Sequence, residues 1–130
     1  MSVTFRFIFR YNESVKYYLK FLSLAYLIGG MFHFLDILDL RLIFSKMNLP
    51  WKVWTIYLFL GDLGAAYGLW NGRRLGVILF IIISISQLFI YSLYSDIFGR
   101  QSFLISFHLI TLIIFIFLSI KRKRKTLNSL

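Results

Sequence analysis

Five side chains able to do chemistry are set inside otherwise oily runs: His33, Asp36, Asp62, Gln87 and His108. Imidazole and carboxyl groups exchange protons and ligate metals, while an amide adds hydrogen bonds. Gly29, His33 and Asp36 stand at i, i+4 and i+7, so they share one face of a helix. Asp62 lies beside a stripe of small residues, Gly61, Gly64, Ala65 and Gly68, within GDLGAAYG. Ser84, Gln87 and Tyr91 form a second polar line, and His108, Thr111 and Ser119 a third. A carboxylate in hydrocarbon costs several kcal/mol unless it is paired or protonated, which makes Asp62 the most telling of the five. Asp39 falls at a helix boundary, where solvent or a lipid headgroup suffices to explain it.

Depth relates these residues. His33 and His108 each lie about seven residues from the same end of their helices, roughly 10 Å below that surface. Asp36 is shallower, and Asp62 and Gln87 are nearer the middle. Three readings fit: a satisfied interhelical polar network, a site for a proton, quinone or other small molecule, or a metal or haem centre. In the last, His33 and His108 bind a haem iron on its two faces, or His33, His108 and Asp62 hold a divalent ion. No multi-residue motif supports a cofactor, and none is expected. The small-residue stripe either packs another helix of the same bundle or docks a second subunit.

The elements that position these groups follow from composition. Of 130 residues, 59% are hydrophobic and only 15% charged, with 15 Lys and Arg against 5 acids. Mean hydropathy is +0.77 and the pI is near 10.2. Basic residues that bracket long apolar runs point to a bilayer and away from nucleic acid. The absence of cysteine excludes disulfides, thiolate metal sites and cysteine nucleophiles. No Ser–His–acid set, phosphate-binding loop or zinc-protease motif suggests enzymatic activity. The first residues lack the layout of a cleavable signal.

Lys20 and Arg41, Lys52 and Arg73, Arg74 and Asp96, and Arg100 and Lys121 bracket four stretches of 20 or 21 residues. At 1.5 Å per residue each spans about 30 Å of hydrocarbon. The expectation is a single all-α membrane domain of residues 1–130. Its four transmembrane helices, near 17–40, 51–71, 75–95 and 101–121, form an up-down-up-down bundle. Asn48 and Pro50 mark the start of the second helix, and WNGRR makes a tight turn into the third. Arg6, Arg10, Glu13, Lys16 and Lys20 recur on one face, so residues 3–16 read as a basic amphipathic helix on the membrane surface. Residues 121–130, opening with KRKRK, read as a solvated basic tail. Arg6, Arg10, Lys16, Lys121, Arg122 and Lys123 are then the headgroup contacts. Eleven basic residues on one side against four on the other place both termini in the cytoplasm.

The stretch LGDLGAAYGLWNGRRLG at 60–76 resembles the second helix of the DoxX-like family of small bacterial membrane proteins. Asp62 matches its acidic position and Gly68 its late glycine, and LAYLIGGMFHFLD at 24–36 is similar to its first helix. The chain departs from that pattern in having Asp where Glu is commoner, and His33 in a region where lysine is more usual. The resemblance implies a bacterial inner-membrane protein linked to redox or quinone systems. From it comes the expectation of a non-catalytic accessory subunit that partners another membrane protein or itself. The alternatives are a small transporter or proton-coupled carrier working through Asp62, and a bis-histidine haem protein.

Overall fold

The computed structural model describes residues 13–128, and all regular structure among them is helical. Helix α1 is Glu13–Ile37, a 3₁₀ turn is Phe44–Lys46, and α2 is Leu49–Trp70. Helix α3 is Arg74–Leu93, α4 is the single turn Ser95–Phe98, and α5 is Ser102–Asn128. Three stretches are long and apolar enough to cross a membrane: Glu13–Ile37, Arg74–Leu93 and Ser102–Lys121. Leucine, isoleucine and phenylalanine along all three are exposed, among them Leu24, Ile28 and Phe32 on α1 and Ile82, Ile85 and Phe89 on α3. A water-facing surface does not carry so much continuous apolar area, whereas lipid covers it at no cost.

Of the four bilayer-length stretches expected to span, α2 is the one that is not apolar enough by composition. Its 22 residues are enough for a bilayer, but it is not among the three apolar spans. Asp62, Lys52, three glycines and the interfacial rings of Trp51, Trp54, Tyr57, Tyr67 and Trp70 dilute its hydropathy. The basic end also differs from expectation. Helix α5 continues through KRKRK to Asn128, because Lys and Arg are good helix formers and cations suit a helix C-terminus. The amphipathic segment 3–16 lies outside the described residues up to position 12, and its last four residues are the first turn of α1.

Two helix ends set the geometry of everything that follows. Helix α2 starts at Asn48, whose side chain accepts the Trp51 N–H at 3.1 Å, with Pro50 in the first turn. It stops at Gly72, whose φ of 65° is the left-handed conformation glycine adopts without a Cβ penalty. Arg73 N–H then reaches back to the Gly68 carbonyl at 2.8 Å and Gly72 N–H to Leu69 at 3.2 Å, which is a Schellman stop. Helix α1 ends in the same way, with Asp39 in the left-handed place at φ 59°. Its N–H bonds to the Asp36 carbonyl at 2.9 Å, and Leu40 N–H bonds to Leu35 at 2.9 Å. Asp39, read from sequence as a boundary residue with no special task, is the residue that stops α1.

The exposed Asp39 carboxylate accepts the Ser45 N–H at 2.9 Å, and that bond holds its pKa below the usual carboxylate range. A depressed folded pKa means the bond's contribution is complete above the ordinary carboxylate value of about 4 and is lost as pH falls through the folded value. The Ser45 amide protection factor is therefore expected to drop at acid pH in the native protein and to stay level in Asp39→Asn. A pH-independent protection factor in the native chain contradicts this account.

The chain forms two compact units, with boundaries inside α1 and α3. One is Leu19–Ile83; the other joins the flanking stretches that end at Tyr18 and begin at Ser84. In Leu19–Ile83, Leu22, Leu58, Leu69, Phe80 and Ile83 are buried, and Tyr26 meets Phe80 edge-on at 5.8 Å. Ser23 Oγ donates to the Ala66 carbonyl at 2.6 Å, tying α1 to α2. In the other unit, Tyr18 donates its hydroxyl to the Thr111 carbonyl, and Thr111 Oγ1 donates to the His108 carbonyl at 3.1 Å. Val15, Ser84, Gln87, Tyr91 and His108 are buried there.

Candidate functional site

The Schellman stop at Asp39 turns the chain back over the last turn of α1. This brings Arg41 and Leu42 onto Asp36, which is only 1% exposed. Arg41 Nη2 donates to Asp36 Oδ2 at 2.6 Å, and Leu42 N–H donates to Oδ1 at 3.1 Å. The Arg41 guanidinium lies over the Phe32 ring, 5.4 Å from its centre. Both carboxylate oxygens are thus engaged, as a buried anion requires.

One turn earlier on the same face is His33. Its Nδ1 is 3.7 Å from Asp36 Oδ2 and its Nε2 is 3.7 Å from Asp62 Oδ2. Asp62, on α2, is 3% exposed. Glycine at position 29 makes room for it, since a Cβ there would stand 2.9 Å from Asp62 Oδ2. His33 Nδ1 and Asp62 Oδ1 are buried without a hydrogen-bond partner among the described residues. A separation of 3.7 Å is bridged by one water or closed by a small side-chain rotation.

The result is a line of four groups, Asp62, His33, Asp36 and Arg41, running from within α2 to the exposed end of α1. Two carboxylates, one guanidinium and a neutral imidazole sum to a charge of minus one. One added proton, on His33 or Asp62, makes the line neutral, which is the arrangement a low-dielectric site favours. Imidazole flanked by acids on both nitrogens can take a proton at one nitrogen and release one at the other.

Removing Arg41 leaves the Asp36 anion with a single donor. Arg41→Gln is expected to lower stability by about 2 kcal/mol, because Asp36 is fully buried while Arg41, 43% exposed on its side chain, is partly screened by solvent. Combining it with Asp36→Asn should recover part of the loss, as read by reversible unfolding in a detergent titration. Equal stability of Arg41→Gln and the native chain would remove this pair from the account.

The remaining residues singled out from sequence are placed as follows. Gln87 and His108 are buried in the unit that begins at Ser84, and Gln87 Oε1 has no hydrogen-bond partner among the described residues. Gly61, Gly64 and Gly68 are turned toward α3, where added Cβ atoms would meet Ile83, Leu79 and Gly76, and Ala65 is fully buried. Lys16 is half-buried and Lys121 exposed. Arg6 and Arg10, and the side chains of Arg122 and Lys123, lie outside the described residues. Among the described residues, no group of three or more histidine, aspartate or glutamate side chains is placed to hold a metal ion. Sequence reasoning missed Arg41, which served there only as a bracket. The available signal was a cation five residues past a buried acid, across a helix stop.

These features define an all-helical membrane protein with a buried acid–histidine–acid line. Residues 13–126 match the model described as Family of unknown function (DUF6163), and the chain belongs to that family. No curated protein and no solved structure matches it.

Proposed function

We propose that this protein handles protons within a bacterial inner membrane, using Asp62, His33 and Asp36 as a relay. The observation that carries this reading is His33, with a carboxylate 3.7 Å from each ring nitrogen. In the relay, protonated Asp62 gives its proton to His33 Nε2 while Nδ1–H is released toward Asp36. Arg41 pairs with Asp36 and connects the line to the surface beside Asp39. A ring flip or the reverse transfer resets the imidazole. Balance is kept, since each step breaks one O–H or N–H bond and forms another.

In this proposal α2 completes an up-down-up-down bundle of four spans. The relay side chains on its neighbour α1 compensate for its lower apolarity. Both termini are cytoplasmic, consistent with eleven basic residues against four, so the Asp36 end faces outward. The likeness of residues 60–76 to the DoxX-like family supports a setting beside a redox or quinone-linked complex. The glycine stripe, turned toward α3, offers no argument for docking a second subunit, so proton handling takes precedence over a purely accessory role.

Proteoliposomes loaded with a pH-sensitive dye test the reading. An imposed potential should drive proton flux above that of empty liposomes, and His33→Gln should return it to the empty-liposome rate. Native protein that leaves the flux at the empty-liposome rate would end the proposal.

A further inference from the structure

We propose that the end of the molecule at the α2–α3 turn holds an anionic phospholipid. One acyl chain lies in a groove between α1 and α2, and the phosphate is held by Lys20 and Arg73. The groove encloses about 410 Å³ and is walled mainly by Leu24 and Leu27 of α1 and Leu63, Tyr67 and Trp70 of α2. Two of its polar lining residues, Ser23 and Asn71, turn a donor to backbone. Ser23 Oγ bonds to the Ala66 carbonyl, and Asn71 Nδ2 bonds to the Tyr67 carbonyl at 2.8 Å. What the groove presents is mainly hydrocarbon, extending over the nine residues from Leu63 to Asn71, about 12 Å.

Its rim is cationic. Lys20 Nζ sits 4.4 Å from the centre of the Trp70 ring, and the Arg73 guanidinium sits 5.3 Å from that of Tyr67. Both rings wall the groove, so both cations are anchored at its mouth, and Arg74 follows directly. Neither Lys20 nor Arg73 forms an ion pair among the described residues. The acids of this unit are distant or committed. Asp36 lies sixteen residues beyond Lys20 on α1, roughly 24 Å, Asp39 follows the end of that helix, and Asp62 faces Gly29 and His33. Apolar walls with unpaired cations at one end match a lipid that carries an acyl chain and a phosphate.

The test uses the full chain in nanodiscs of equal phosphatidylcholine and phosphatidylglycerol, followed by native mass spectrometry of the lipid retained on gentle extraction. The native protein is expected to retain phosphatidylglycerol over phosphatidylcholine by about tenfold. Lys20→Gln with Arg73→Gln should bring the ratio near one, while Lys46→Gln with Lys52→Gln, at the other end of α2, should leave it unchanged. Leu27→Trp, which fills the groove and keeps both cations, should abolish retention of either lipid. The proposal is overturned by no preference in the native protein, by enrichment that survives loss of Lys20 and Arg73, or by retention unchanged in Leu27→Trp.

Discussion

Asp62→Asn is expected to cut proton flux through reconstituted protein on the order of a hundredfold while leaving the helices intact. The asparagine side chain keeps nearly the shape of aspartate, so the space left by Gly29 still accommodates it. It donates hydrogen bonds but releases no proton at neutral pH, so His33 Nε2 loses its supplier. Asp62→Glu should retain part of the flux, since the acid remains and only its reach changes. Gly29→Leu tests the same point from the other helix. A side chain there would drive into the Asp62 carboxyl, displace it from His33, and lower flux with all three relay residues unsubstituted. Circular dichroism serves as the folding control. Undiminished flux in folded Asp62→Asn would remove Asp62 from the relay.

The largest effect on stability is expected at Gly68. A Cβ there would lie 2.5 Å from Gly76 Cα and 2.6 Å from its nitrogen, and backbone atoms cannot rotate away. The Schellman stop at Gly72 fixes the crossing of α2 and α3 at this point, so the helices cannot separate without breaking the turn. Gly68→Ala should therefore cost about 3 kcal/mol despite alanine's better helix propensity. Gly64→Ala is the informative contrast. Its Cβ would meet only Leu79 Cδ1, at 3.1 Å, the movable end of a side chain, so its cost should stay within about 1 kcal/mol. The two variants compared by detergent-titration unfolding should differ clearly. Equal stabilities would contradict the close approach of Gly68 and Gly76.

Apolar length and basic brackets make the helices readable from sequence, because a bilayer leaves little freedom in how long a span must be. The same reasoning overcounts α2, since bracketing charges measure length but not the dilution by Asp62, glycines and interfacial rings. Asn48, Pro50 and Gly72 announce their turns because each acts on its own backbone. Asp39 does not, because aspartate enters the left-handed region only where the surrounding chain repays it, here through Ser45. The site divides along the same line. Spacing on one helix places His33 and Asp36 together, and small residues mark the neighbourhood of Asp62. Arg41 reaches Asp36 only through the path of the chain beyond the helix stop, which periodicity cannot express. Depth counting likewise gave His33 and His108 equal positions along their helices but carried no information on which way each faces.

The most direct measurement uses the fact that the chain has two histidines. Protein labelled with ¹⁵N at histidine gives two sets of ring-nitrogen signals, assigned by His108→Gln. The account predicts that Asp62→Asn shifts chiefly the Nε2 resonance of His33, and Asp36→Asn chiefly its Nδ1. Each nitrogen thus reports the carboxylate it faces. If neither substitution moves the His33 nitrogens, the imidazole does not join the two acids and the relay does not exist.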